Sequence, residues 1–191
     1  PTGSGLQLLP MMAGNLATSI AAGQLISRRG RYRVYPILGT AVITVGLVLL
    51  SRMTARTTIP EAALSMLVLG MGMGLVMQVL VIAVQNAVDY ADLGVATSGA
   101  TLFRLIGGSL GTAIFGAIFA SRLTAYLGHA LPAGAVRVGE GSGLSRELLE
   151  HLPPAVRAIY VNGVTVSLST VFLTAAGVAF AGFLLAWLLP E

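Results

Sequence analysis

The chain has 191 residues, of which 55% are hydrophobic and only 9% are charged, and its mean hydropathy is +0.88. These values exceed those of a soluble domain with a polar surface, so the chain is predicted to lie in a lipid bilayer. The net charge of +4 comes from arginines placed mostly between the apolar stretches, which argues against nucleic-acid binding, and without cysteine neither a disulfide nor a thiolate metal site can form.

Five apolar stretches reach or nearly reach the roughly 20 residues that a membrane-spanning helix needs. None of them shows the sustained period-two alternation of a membrane β-strand. The sequence therefore predicts an all-α fold, a polytopic membrane helix bundle with five transmembrane helices at about residues 5–27, 34–51, 61–85, 97–121 and 164–189.

A short basic turn joins the first two predicted helices. We call residues 27–34 the arginine turn, because they contain four arginines: Arg28, Arg29, Arg31 and Arg33. Clustered positive charge is disfavoured for translocation, so the arginine turn is expected on the cytoplasmic side. The connection at 86–96 then lies on the same side, and the long connection at 122–163 is extracytoplasmic.

The third predicted helix combines glycine, methionine and glutamine. Gly70 and Gly74 have the spacing of small residues that lets helices approach closely, which favours packing within the bundle over a self-dimer. Gln78 and Gln85 are seven residues apart and share a face with Met71, and Met77 adds a second adaptable side chain. These residues either line a substrate cavity (Met71, Met77, Gln78 and Gln85) or pack and hydrogen-bond between helices.

The fourth predicted helix contains a charge inside an apolar span. Arg104 lies seven residues after Thr97, a predicted helix N-cap, and a charge at that depth needs a partner or must reach the interface. The carboxylates of Asp89 and Asp92 in the preceding connection are the candidates for a structural charge pair, which we favour over a substrate or proton role. Further along the helix, three more glycines are predicted to serve helix packing: Gly107, Gly108 and Gly111.

The connection at 122–163 is predicted to be solvated, with a short interfacial helix at 144–152 carrying Leu148, Leu149 and Leu152 at helical spacing. His129 and His151 have no second ligand at a metal-like spacing, so no metal site is expected. Neither a phosphate-binding glycine loop nor a nucleophile–base set occurs in the sequence, and no enzyme is predicted.

The arginine turn and its neighbours carry a resemblance to a known family. "GQLISRRGRYR" resembles the cytoplasmic-loop signature of the major facilitator superfamily: Gly23, Arg28, Gly30 and Arg31 match, Arg33 lies one place late, and Ser27 stands where the family often has aspartate. "TGSGLQLLPMMAG" and "VQNAVDYADLGVATSGATLFRLIGGSLGTAIFGAIF" are similar to the C-terminal portion of the fourteen-helix drug:proton antiporter branch.

This resemblance implies a partial C-terminal transporter domain over residues 1–191, lacking the first helix of its half. It implies a secondary transporter for proton-coupled efflux of amphipathic or cationic drugs by alternating access, with no cofactor beyond the proton gradient. The first, third and fourth helices would face the substrate, and the signature residues would form a cytoplasmic gate loop. The implied partners are the bilayer, an N-terminal half of the same transporter and a small amphipathic substrate, in a bacterial cytoplasmic membrane.

Two alternatives remain open. The five helices could form a membrane scaffold or assembly subunit that transports nothing, or the fold could serve a carrier of organic acids or lipids. Because residues 1–4 lack an initiator methionine and a signal-peptide pattern, the chain is expected to be a piece of a longer one. The spans contain no carboxylate beyond the first turn of the third helix, so a proton-coupling residue is expected outside these 191 residues.

Overall fold

The computed structural model describes residues 2–29, 33–54, 57–130 and 154–188, with the backbone alone for residues 2–7, 29 and 154. The described residues form α-helices and no strands, which confirms the predicted all-α fold. The helices are α1 (Thr2–Arg29), α2 (Val34–Ser51), α3 (Ile59–Asn86), a 3-10 turn (Tyr90–Asp92), α4 (Leu93–Ala130) and α5 (Pro154–Ala186).

The bounds of α2 and α3 follow local signals in the sequence. α2 occupies the predicted residues, and α3 begins two residues before the predicted start. At that start, the backbone N–H of Thr58 donates a hydrogen bond to Oε2 of Glu61 at 3.0 Å, and Pro60 lies in the first turn, where its missing N–H costs no helical hydrogen bond.

Both flanking helices continue into the long connection predicted at 122–163. α4 continues to Ala130 and α5 begins at Pro154, because Leu123 and Leu127, one helical turn apart, pack with Tyr160 in a small buried cluster. Apolar helical spacing therefore extends both helices past their predicted spans. The predicted interfacial helix at 144–152 lies outside the described residues, as does His151.

Four of the described helices, α2 to α5, are long and apolar enough to cross a membrane. The protein is therefore a multi-pass membrane protein whose helices contact lipid. α1, the fifth predicted span, has 28 residues but is not apolar enough to qualify by composition, since it carries polar residues such as Asn15 and Gln24. α4, with 38 residues, is about 57 Å long and exceeds the ~30 Å hydrocarbon layer, so it extends beyond the membrane.

The helices form a ring in the order α3, α2, α5, α4, with α1 packed on the outside of α3. Neighbours in the ring run in opposite directions: Arg33, just before α2, contacts Trp187, just after α5, whereas Ser51 at the end of α2 accepts a hydrogen bond from Ser169 within α5. The contact between α3 and α4 is the lightest in the ring. The ring is therefore loosest between α3 and α4.

Glycines set the closest approaches between helices. A Cβ atom at Gly72 would lie 2.7 Å from the backbone nitrogen of Ile43 in α2, and one at Gly14 would lie 2.6 Å from the backbone oxygen of Leu67. Gly70 and Gly74 face the backbone oxygens of Met11 and Asn15 at distances that leave no room for a Cβ. The α1–α3 and α2–α3 contacts therefore depend on glycine, as small residues at membrane helix contacts allow.

A polar contact reinforces the α1–α3 packing. The hydroxyl of Thr18 lies 2.8 Å from the carbonyl oxygen of Gly14 in its own helix and 2.9 Å from that of Met71 in α3. One hydroxyl thus interacts with the backbone of both helices at a point where glycine brings them together. This contact stabilises the register of α1 on α3.

Candidate functional site: a cleft between the third and fourth helices

The loose side of the ring contains a cleft of about 360 Å³ between α3 and α4. Its lining is mainly apolar, with two threonines and one arginine: Met77, Leu80, Val81, Val84, Thr97, Ala100, Thr101 and Arg104. A mostly apolar cavity of this size with a few polar groups is typical of a small-molecule site.

Both walls of the cleft follow the same helical spacing. On α3 the lining residues begin at Met77 and recur three, four and seven positions later, and on α4 they begin at Thr97 with the same spacing. Residues at these offsets share one face of a helix, so each wall is a single helical stripe. Because α3 and α4 are antiparallel, Arg104 lies at the level of Met77, and Thr97 lies at the level of Val84.

The structure places Arg104 deeper than the sequence indicates. α4 begins at Leu93, so Thr97 is inside the helix and Arg104 lies eleven residues, or about 16 Å, from the helix start. The predicted pair of Arg104 with Asp89 or Asp92 is wrong, because Asp92 precedes Arg104 by twelve residues, about 18 Å along the same axis. Asp89 lies farther still, before the 3-10 turn.

The charge of Arg104 is therefore exceptional in its surroundings. Arg104 is exposed, and the α3 residues that line the cleft beside it are all uncharged and apolar. A charged side chain at the centre of a membrane span costs about 2.5–3.5 kcal/mol to insert, so charges within apolar helices are rare. Arg104 also borders a second, more open cleft along α4 with Gly108 and Ser109. Arg104 thus borders two grooves, and its long side chain can reach a solute in either.

Of the predicted cavity residues, the structure brings only Met77 into the cleft. Met71 lies instead at the α1 contact, where a Cβ at Gly14 would approach its Cγ to 3.3 Å. Gln78 and Gln85 each follow a lining residue of α3 directly, so each lies about 100° around the helix from the cleft, and both are exposed. The contact of Gln78 and Gln85 with substrate stays a prediction, and it would occur on the surface of α3 beside the cleft.

The arginine turn is only partly described. Gly30 and Arg31 lie outside the described residues, Arg28 is exposed in the last turn of α1, and a Cβ atom added to Gly23 would meet no neighbouring atom within 4 Å. Arg33 is the exception, since its Nη2 donates a hydrogen bond to the backbone oxygen of Trp187 at 2.6 Å. This contact places a positive charge at the C-terminal end of α5, where the helix dipole favours it.

Loss of the Arg33 contact should have a small, measurable effect on stability. Arg33→Gln is expected to lower the Tm of the purified full-length protein by roughly 2 °C, because it removes a charge-assisted hydrogen bond at an exposed position. Arg122→Gln is the control and should leave the Tm unchanged, because Arg122 is exposed within α4 and away from both ends of the helix. Equal Tm values for both variants and the wild type would show that the Arg33 contact contributes nothing.

Sequence reasoning missed most of the cleft. Val81, Val84 and Ala100 line it without any polar signal, Thr97 was interpreted as a helix N-cap, and Thr101 was given no role. The available signal was the spacing itself: Thr97, Ala100, Thr101 and Arg104 lie on one face of α4. The predicted packing glycines of α4 also differ from those of α3, since Gly107 and Gly108 have no atom of another described helix within 4 Å.

Comparison with known proteins identifies relatives along the whole chain. An MFS-type transporter of Mycobacterium tuberculosis is 46% identical over 190 residues, covering 100% of this chain and 27% of the relative. The multidrug transporter protein MdtP of Bacillus subtilis is 38% identical over 119 residues, covering 62% of this chain and 22% of the relative.

A tetracycline resistance determinant of Streptomyces rimosus is 34% identical over 124 residues, covering 64% of this chain and 36% of the relative. No protein-family model matches the chain. The chain spans about a quarter of the length of the M. tuberculosis relative.

Proposed function

This chain is homologous over its whole length to transporters of the major facilitator superfamily, and we propose that it forms part of the C-terminal half of a proton-driven exporter of small amphipathic compounds. The observation that carries the proposal is the α3–α4 cleft, which offers an apolar wall and a few polar groups between two membrane helices. In carriers built from repeats, the substrate binds near the bilayer midplane and the halves rock around it.

The packing of the bundle supports such a motion. α1 and α2 are held to α3 through glycine contacts with almost no spare volume, so these three helices form a stiff unit. α4 contacts α3 lightly and faces it across the cleft. A change in the α3–α4 separation would therefore alter access to the cleft while leaving the α1–α3 and α2–α3 contacts intact.

The proton-coupling group is proposed to lie outside these residues. Glu61 is in the first turn of α3, and Asp89 and Asp92 lie between α3 and α4, so no carboxylate occurs along the membrane-spanning faces of α2 to α5. Proton-coupled transport uses a titrating side chain that lies within a membrane span. The rest of the full-length transporter would supply it, in a bacterial cytoplasmic membrane.

Transport can be tested in everted membrane vesicles containing the full-length protein. We expect at least one dye of a panel containing cationic rhodamine 6G, an anionic dye and a neutral dye to accumulate when respiration acidifies the vesicle lumen. This accumulation should be lost when nigericin collapses the pH gradient. Vesicles from cells carrying an empty vector are the control. Accumulation equal to that control for rhodamine 6G and for anionic and neutral dyes would overturn the transporter proposal.

One observation favours a second candidate, the membrane scaffold or assembly subunit. Gly107 and Gly108 leave a small-residue face on α4 that no other described helix covers, and a second helix could approach it closely. A scaffold predicts that these positions hold subunits together and that no solute moves. Crosslinked oligomers together with absent uptake in the vesicle assay would favour it over the exporter.

Gln78 provides a test of the surface beside the cleft. Gln78→Ala should change the relative uptake of different dyes by several-fold while leaving the amount of protein in the membrane unchanged, because an exposed amide contributes hydrogen bonds to polar substrates and little to packing. The measurement is uptake of a panel of dyes normalised to protein. Unchanged uptake of every dye would exclude Gln78 from the substrate path.

A further inference from the structure

The cleft has an electrostatic character that the proposed function does not specify. Its described lining contains one formal charge, that of Arg104, and its α3 wall is aliphatic. Charges interact more strongly beside apolar walls than in water, because the local dielectric response is weaker. The cleft therefore favours a negatively charged group and disfavours a cation.

Arg104 has no counter-ion among the described residues near the cleft. Asp92 lies twelve residues before it on the same axis, about 18 Å away. Glu61 precedes Met77 by sixteen residues, which places it about 24 Å from the level of Arg104 along α3. The positive charge is thus free to pair with a solute that enters the cleft.

The other polar residues that line the cleft are Thr97 and Thr101, which carry no charge and so cannot compete with Arg104 for a charged ligand. The hydroxyl of Thr101 donates to the backbone oxygen of Thr97 at 2.9 Å, so its proton is already committed within α4. Arg104, with five N–H donors and a permanent charge, is the strongest donor lining the cleft. An anion is the ligand that this arrangement satisfies best.

We propose that the α3–α4 cleft binds an amphipathic anion, with its carboxylate or sulfonate at Arg104 and its apolar part along Met77, Leu80 and Val81. This inference rests on the proposed transport function and names its substrate class. An anionic group joined to an apolar part occurs both in a free aromatic or aliphatic acid and in an anionic lipid with its acyl chains. The bound group would form bidentate hydrogen bonds with the guanidinium.

The test is a binding measurement with three probes that share one ring system. Full-length transporter in phosphatidylcholine nanodiscs is titrated with tritiated naphthoate, naphthamide and naphthylmethylammonium in a scintillation proximity assay. We expect naphthoate to bind about tenfold more tightly than the amide, and the cation to bind most weakly. Arg104→Gln should weaken naphthoate binding about tenfold and leave the amide unchanged, whereas Arg104→Lys should retain part of the preference.

Arg122→Gln is the matched control, since Arg122 is also on α4 but lines a different cleft near His129. It should leave all three affinities unchanged. A second arm repeats the titration of the wild type and Arg104→Gln in nanodiscs containing phosphatidylglycerol, whose negative surface potential acts equally on both proteins. A larger loss of naphthoate affinity in the wild type than in Arg104→Gln indicates that the anionic lipid occupies the cleft, and an equal loss indicates a free acid as the ligand.

Four results would overturn the inference: equal affinity for all three probes, tightest binding of the cation, no effect of either Arg104 variant on naphthoate, or binding of none of the three probes. Each of these can occur while the vesicle assay still shows transport, and the vesicle assay can fail while the anion preference holds, so the two proposals are separated.

Discussion

Replacing Gly70 and Gly74 together with alanine is expected to lower the Tm of the full-length protein by several degrees. The added methyl groups would overlap the backbone oxygens of Met11 and Asn15, which belong to a packed helix and cannot rotate away. Overpacking of this kind costs about 1–3 kcal/mol per site. The gain in helix propensity from glycine to alanine, about 1 kcal/mol, is too small to compensate.

A glycine without neighbours provides the control. Gly177 in α5 has no atom within 4 Å of the position of an added Cβ, so Gly177→Ala should leave the Tm unchanged or raise it. The protein is heated to a series of temperatures, and size-exclusion chromatography then measures the fraction that remains monodisperse. The temperature at which half remains gives the Tm. Equal Tm values for wild type and the Gly70/Gly74 double variant would contradict the close α1–α3 packing.

Replacing Ala100 with tryptophan is expected to reduce transport at least tenfold. Ala100 lines the α3–α4 cleft from the α4 side, so an indole at this position would fill much of the ~360 Å³ that a substrate needs. The position is half-buried and borders open volume, which lets the ring enter the cleft without displacing a helix. The measurement is dye uptake in everted vesicles, normalised to the amount of membrane-inserted protein.

Val178→Trp controls for the effect of a large aromatic residue in a membrane helix. Val178 is 65% exposed on α5, a helix expected to face away from the substrate, so this variant should transport normally. Normal uptake by Ala100→Trp would remove the cleft from the transport path. Loss of uptake in both variants would point to a general effect of tryptophan insertion.

The sequence was sufficient to predict elements whose ends carry local signals. α2 was predicted over its observed residues, because the arginine turn precedes it and a polar stretch follows Ser51. The start of α4 was misplaced, since Thr97 and Ser98 resemble helix N-caps. In the structure the residue with the extended backbone of an N-cap is Asp89, which precedes the 3-10 turn. That turn leads directly into α4 at Leu93.

The cleft itself depends on packing that local patterns do not determine. Gly70 and Gly74 have the same spacing as Gly107 and Gly111, yet the first two contact α1 while the last two meet no other described helix. Which helix covers a small-residue face is decided by the arrangement of the bundle. The assignment of Arg104 failed for a related reason, because its distance from Asp92 depends on where α4 begins.

The central claim is that the α3–α4 cleft is a substrate site with alternating access, and cysteine accessibility tests it most directly. The chain contains no cysteine, so Val81→Cys introduces a single reactive thiol in this region once any cysteines elsewhere in the full-length protein are replaced. We expect a membrane-impermeant maleimide to label this thiol from either side of the membrane, with the pH gradient shifting which side reacts faster. Labelling from one side alone, at a rate independent of the gradient, would contradict the claim.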